Sequence, residues 1–475
     1  MKIYVIIFFF AISITTISCS KYLNVEPKSS VSEDQMFASE LGFEQALSGV
    51  YSQLGGQKMY GDRLSLGFVS ALAQNYAQRN VGAPYYQTKA LNFDTDEVRK
   101  SLLDIWSSTY NAIAGLNKII DKTEGNRSVL SSNGYKRIRG EALAMRAYLH
   151  FDLFRLFGPE YQTGKAEKAI PYETQIDAYA NVPSTSEAFC QFVLEDIKAA
   201  SQLLKTVDPI LFQETEMNMR RIKMNYYAVK GLEARVQMYV GDKQAAASAA
   251  QEVVDGAKFP FVGIATVNAA ANVKDRLFMP ELVFAIRSTS ILNWTERYFK
   301  AYGGNAGFGL TRTATELNTI YENSATDIRR LYLFQEDNSV LFPSKFWQTY
   351  VPLTGESGTS SNRKDQIIPL IRISEMYYIL AETAITPVQG AALLNKVIGA
   401  RAASKLAEGQ PITGAFLEAE IQKEYHKEFY GEGQFFFYLK RKNAKRLPFM
   451  TVDVPSTIFK LPIPDSEMEY NPTYQ

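Results

Sequence analysis

The chain has 475 residues, with 51 Lys and Arg against 50 Asp and Glu, 46% hydrophobic residues, two Cys and two His. A formal charge of +1 supplies no field for holding a phosphate backbone, so no nucleic-acid partner is expected, and the apolar fraction suffices for a large core. His150 and His426 stand far apart and outside any HExxH or CxxC pattern, so neither a metal site nor a cofactor is expected.

In chain order, residues 1–18 read as a signal peptide: a basic start at Lys2, an apolar run from Ile3 to Ile14, then small polar residues. The apolar part is too short for a comfortable membrane span. Thr16-Ile17-Ser18-Cys19 resembles a bacterial lipobox, with Ile and Ser where Ala and Gly are commoner. Cys19 is therefore expected to become the acylated first residue of the mature chain, carrying palmitate-type chains. An uncleaved anchor helix or a plain secretory signal is the alternative. One acyl chain anchors only marginally, at about 0.8 kcal/mol per buried methylene, so several chains would make attachment permanent. Cys190 then has no cysteine to pair with, and its apolar helical setting makes it a small buried hydrophobe.

Most of the periodic segments that follow are helical. Trp106, Tyr110, Ile113 and Ile120 share one face, and Trp106 is expected in the core. Residues 141–154 are apolar over most of a helix circumference, which requires neighbours on several sides. Ser184 and Glu187 form a capping-box pattern opening the next helix. Two helical hairpins follow. In the first, Tyr227, Gly231, Ala234 and Met238 precede a break at Gly241-Asp242, and Ala246, Ala250 and Val253 continue. In the second, Ile373, Tyr377, Leu380 and Ala384 precede Pro387, and Ala391, Leu394, Ile398 and Ala402 follow. The first pair has about the 34-residue length of a tetratricopeptide unit. Between the helical blocks, residues 158–183 read as an extended connection, and residues 259–354 as irregular with a strand at 282–286. Prolines 462 and 464 keep the stretch Ile458 to Pro464 out of a helix.

Several of these patterns, in order, resemble the SusD/RagB family of outer-membrane nutrient-binding lipoproteins. They are Lys21-Tyr22-Leu23-Asn24-Val25-Glu26-Pro27 after the lipid Cys, Gly140-Glu141-Ala142 through Gly158-Pro159, Pro280-Glu281-Leu282-Val283-Phe284, Ile371 to Tyr377, and Leu461-Pro462-Ile463-Pro464. Residues 424–434 resemble the family's late Glu-rich helix, with Tyr425 where Arg is usual, which marks a divergent branch. The resemblance implies a mainly α protein, a SusD-like fold of tetratricopeptide-like helical hairpins with irregular loops and a few short strands. Residues 19–475 would form one SusD-like domain, with a helical half at 19–255 and a loop-rich ligand region and C-terminal part at 256–475. It also implies no catalysis, a lipid-anchored place on the outer membrane facing outside, and a SusC-like TonB-dependent β-barrel as partner.

Saccharide recognition uses aromatic faces against sugar C–H surfaces, so aromatics in the non-helical stretches are the ligand candidates: Tyr85, Tyr86, Trp294, Tyr298, Tyr302 and Trp347. For each, a packed loop anchor is the competing role. The basic run 440–446 is read as a solvated helix end that complements the dipole, with contact to anionic lipid as the alternative. Glu375 and Glu382, two turns apart, imitate a glycosidase pair but are read as structural. The leading expectation is capture of an oligosaccharide and its delivery to the transporter. The alternatives are a peptide ligand, an exported polysaccharide hydrolase with paired deep carboxylates, and a bare protein-interaction scaffold.

Overall fold

A computed structural model describes residues 32–176, 181–212, 220–270, 273–300, 309–337, 340–347, 366–406 and 411–474. Its principal elements, in chain order, are α1 (Glu40–Leu54), α2 (Asp96–Gly125), α3 (Ser132–Phe157), α4 (Ser186–Leu204), α5 (Tyr226–Val240), α6 (Lys243–Asp255), β1 (Leu282–Arg287), α7 (Ile291–Thr295), β2 (Phe334–Asp337), β3 (Val340–Pro343), β4 (Ile367–Arg372), α8 (Ile373–Thr383), α9 (Pro387–Ala400), α10 (Gly414–Glu428), α11 (Gln434–Arg441) and α12 (Asp465–Tyr470). The fold is the mainly helical one expected, with few short strands. Helices pack in succession: α2 on α3, α3 on α4, α4 on α5, α5 on α6, then α6 on α8 and α8 on α9. The described helices include none long and apolar enough to cross a membrane.

The two hairpins read from sequence are α5–α6 and α8–α9. Gly241 ends α5 at φ 93°, a left-handed conformation that a β-carbon disfavours, and its N–H bonds the Gln237 carbonyl at 3.0 Å. Asp242 then accepts from the Ala245 N–H and starts α6. Thr386 and Gln389 form a reciprocal capping box at the start of α9, with Pro387 in the first turn. One cap falls elsewhere than expected. Thr185, not Ser184, caps α4 by accepting from the Ala188 N–H at 3.2 Å. The Ser184 carbonyl is held by Ala169 N–H in a short extended pairing, which shifts the helix start by one residue.

Helix α3 is buried at every residue from Gly140 to Phe157. Such a helix can carry charge only where a partner neutralises it. Glu141 accepts from Arg220 at 2.6 Å, and Arg146 pairs with Asp196 at 2.7 Å. Asp152 receives the Tyr60 hydroxyl at 2.6 Å. His150 is a core residue: Nε2 accepts the Glu173 N–H at 2.9 Å, and Nδ1 lies 3.0 Å from the Arg146 carbonyl. Burial and the Arg146 charge hold it down to about 3, so the ring is neutral. Cys190 is 1% exposed, and burial pushes its thiol far above the usual range.

The first part of the basic run, Lys440 to Lys442, departs from the sequence reading, whereas Lys445 and Arg446 are exposed as expected. Lys440 is fully buried and donates to the Gly158 carbonyl at 2.6 Å. Arg441 grips both oxygens of Glu382 at 2.8 and 2.7 Å, and Lys442 reaches the same carboxylate at 3.2 Å. The aromatic residues 435–438 pull α11 into the core, and its last cations go with it. Burial alone would raise the Glu382 pKa, but Arg441 and Lys442 outweigh it and hold the carboxyl at about 2. Its stabilising contribution is complete above the model-peptide value of 4.5 and is lost as pH falls through about 2. Glu382→Gln is expected to cost about 3 kcal/mol at neutral pH and to flatten the acid limb of the stability curve, checked by urea midpoints across about pH 7 to 3.

The C-terminal part is organised around Glu428, at the end of α10. Its carboxylate accepts from Arg329 at 2.9 Å, Arg372 at 2.5 Å and Arg401 at 2.9 Å. Glu424 takes Arg329 at 2.8 Å and Lys427 at 2.9 Å. Glu432 takes Arg372 at 3.0 Å and Lys345 at 2.6 Å. Glu281 grips Arg401 at 2.7 and 2.5 Å, and Asp327 holds Arg329 at 2.7 Å. The glutamates of the late helix motif therefore form a buried ionic clamp. Tyr425, where the family has Arg, stacks on Tyr438 with ring centroids 4.3 Å apart.

Candidate functional site

Two segments far apart in sequence meet on one carboxylate: the turn before the short helix Tyr86–Lys89, and the π-helical turn Glu296–Lys300 that continues α7. Trp294 and Tyr298 therefore stand on helical turns and not in the non-helical stretch expected. Asp62, which is fully buried, accepts the Tyr85 hydroxyl at 2.6 Å and the Tyr298 hydroxyl at 2.8 Å, from positions 23 and 236 residues away. Burial raises the Asp62 pKa; the two hydroxyl donors and the Arg63 charge oppose it, and the net shift is upward. Tyr85 takes up the left-handed conformation, φ 58°, at the entry to the short helix Tyr86–Lys89, and its N–H bonds Glu97 at 3.1 Å.

The rings stack outward from this clip. Tyr85 meets Tyr298 edge-on at 5.9 Å, and Trp294 of α7 stacks on Tyr298 at 5.7 Å with an interplanar angle of 28°. Tyr85 and Tyr298 are 6% and 5% exposed, whereas Trp294 is only half-buried. The two tyrosines can therefore act as supports, and Trp294 is the most exposed of the three rings. Its indole N–H has no hydrogen-bond partner among the described residues, and the Arg297 guanidinium lies 5.8 Å from the ring. Tyr76 extends the cluster inward, meeting Phe299 at 6.3 Å and Tyr430 at 5.9 Å.

Of the sequence candidates, the structure brings together Tyr85, Trp294 and Tyr298. Tyr86 is half-buried on the adjacent helical turn. Trp347 stands beyond the β2–β3 hairpin, against Phe342 at 5.7 Å. Tyr302 and Cys19 lie outside the described residues. Sequence reasoning missed Asp62, although it is the sole carboxylate between Glu44 and Asp94. A lone acid in a stretch rich in apolar residues is a signal for a buried polar clip.

The two carboxylates that imitate a glycosidase pair are both committed to ion pairs. Glu375 holds Arg235 through two bonds of 2.7 Å, and Glu382 is held by Arg441 and Lys442. Salt-bridged, almost fully buried carboxylates at this spacing are poorly placed to act as acid and base.

This stack of helical hairpins is shared with known proteins, and comparison with them identifies the family. Residues 21–217 match the SusD-like model described as starch-binding associating with outer membrane, and residues 310–475 match the SusD family model. The chain belongs to the SusD/RagB family. A SusD-like protein of Formosa agariphila is 26% identical over 250 residues, which is 51% of this chain and 43% of that protein. The chain thus spans less than half the length of that relative. A crystal structure of a SusD superfamily protein from Bacteroides thetaiotaomicron superposes with TM-score 0.71 at 22% identity, covering 92% of this chain and 98% of that one. A SusD-like carbohydrate binding protein from Bacteroides vulgatus superposes with TM-score 0.71 at 16% identity, covering 92% and 97%.

Proposed function

We propose that this protein is a non-catalytic lipoprotein, anchored through Cys19 in the outer membrane and facing outward. In this reading it captures an oligosaccharide on the Trp294 platform and passes it to a SusC-like TonB-dependent β-barrel. The observation that carries the reading is the clip at Asp62. One buried acceptor holds Tyr85 and Tyr298, and so fixes the ring on which Trp294 stacks. A pre-set aromatic surface binds a sugar face without paying to order its own side chains. Family membership and the carbohydrate-binding neighbour support the same choice. Delivery requires release, so dissociation constants of micromolar to millimolar, roughly −8 to −4 kcal/mol, suit the task.

Calorimetry of residues 20–475 against a panel of glycans and peptides tests the reading. A glycan ligand that is bound and recovered intact supports it. A peptide ligand alone, or shortened glycan products, would replace it with one of the alternatives. Labelled palmitate incorporated by the full chain but not by Cys19→Ala would support the anchor.

A further inference from the structure

A pocket of about 310 Å³, on stretches of chain that lead into the platform, has a different chemistry. It is lined by Ser48, Tyr51 and Ser52 of α1, by the Gly55-Gly56 turn, by Ile222 and Lys223, by Arg287 at the end of β1, and by Thr289 and Ser290 before α7. Its stretches run on into those of the platform. Gln57, next to Gly56, donates to Asp62 at 3.4 Å, and Ser290 precedes α7, which carries Trp294. One turn of helix, about 5–6 Å of rise, separates Ser290 from Trp294 along the backbone, comparable to one sugar unit.

The lining holds two cations, Lys223 and Arg287, and no carboxylate. Lys223 lines the pocket with its ammonium 4.3 Å from the centre of the Tyr51 ring and 3.4 Å from the Ser48 hydroxyl. Among the described residues no carboxylate forms a salt bridge with it: Glu141, whose charge reaches it, is paired with Arg220, and Glu44 acts more weakly. The Tyr51 ring is itself fixed, because its hydroxyl donates to Glu141 at 3.0 Å and accepts the Met224 N–H at 2.8 Å. The opposite wall is equally firm. A β-carbon on Gly55 would lie 2.0 Å from the Arg287 carbonyl oxygen, so only glycine allows the α1 turn to rest on the end of β1. The hydroxyls of Ser52 and Thr289 make no hydrogen bond to a described residue and stand at the rim.

A half-buried ammonium with no carboxylate in salt-bridge contact, beside hydroxyl groups and between rigid walls, suits an anion of small size. We infer that this pocket is a subsite for the acidic group of a saccharide, a carboxylate or a sulfate, on a unit neighbouring the one that stacks on Trp294. The identity of the rest of the ligand rests on the saccharide reading above. The anion site itself rests on Lys223 and the pocket. Acidic glycans would then be preferred over neutral ones of the same length, and the preference would weaken with salt.

The test compares an acidic oligosaccharide, tetragalacturonate, with its fully methyl-esterified form, and titrates inorganic sulfate separately. The proteins are the wild type, Lys223→Gln and Lys223→Arg, each first verified as folded by circular dichroism. The expected result is a preference of about tenfold for the free acid, lost in Lys223→Gln and largely kept in Lys223→Arg. Equal binding of acid and ester, or a preference that survives Lys223→Gln, overturns the inference. If neither saccharide binds, sulfate decides. A saturable heat that needs Lys223 supports the anion site while the saccharide reading fails, and its absence overturns the site as well.

Discussion

Glu428→Ala is expected to lower the unfolding free energy by about 3–5 kcal/mol, or to prevent folding at 37 °C. The carboxylate is fully buried and is the acceptor that Arg329, Arg372 and Arg401 share. Removing it leaves three guanidinium groups with fewer neutralising partners and no access to water. The loss comes from stranded charge, since a buried pair as a whole stabilises little against its own desolvation. Burial alone would raise the Glu428 pKa, but Arg401, Arg372 and Arg329 together drive it well below the ordinary carboxylate range. Glu428→Gln keeps the shape and removes only the charge, so it separates electrostatics from the cavity. Urea unfolding of the three proteins measures both effects. A Glu428→Gln protein as stable as wild type would mean that packing, not charge, holds this region.

Trp294→Ala is expected to weaken binding of the recovered saccharide about thirtyfold while leaving stability nearly unchanged. A central aromatic anchor costs about 2 kcal/mol or more when truncated, and each 1.4 kcal/mol is tenfold in affinity. Trp294 is half-buried on a helix of five residues, so little of the core depends on it. Tyr298→Phe probes the support instead: it keeps the ring and removes the hydroxyl that Asp62 accepts at 2.8 Å. A smaller loss, of a few fold, is expected there because the platform is loosened and not removed. Calorimetry with Trp347→Ala in parallel locates the site. Unchanged affinity in Trp294→Ala together with a large loss in Trp347→Ala would move it to the β2–β3 hairpin.

Much of the scaffold could be read from periodicity and punctuation. Gly241-Asp242 and Pro387 announced the two hairpin breaks, and the unbroken apolar circumference of residues 141–154 announced a helix enclosed on all sides. Strand β4 was hidden, because Pro369 interrupts its strand pattern and Arg372 alone separates Ile371 from the start of α8. Its partner β1 lies some 85 residues earlier, and period alone cannot find such a pairing. The basic run at 440–446 misled for a related reason. Charge density reads as solvent exposure, and only the tertiary position of Glu382 and the Gly158 carbonyl turns Lys440 and Arg441 inward. At the candidate site, residue type pointed to Trp294 and the tyrosines. Which rings support and which face outward depends on Asp62, whose contacts join positions 236 residues apart.

The clamp around Glu428 also bears on what happens when the backbone is cut. Arg329, Arg372 and Arg401 reach it from three separate stretches of chain. A nick anywhere between them leaves both fragments fastened to the same carboxylate. Neither fragment can depart without dragging a bare charge through the interior. A molecule clipped there would keep its shape and its size on a column, and would come apart only in denaturant.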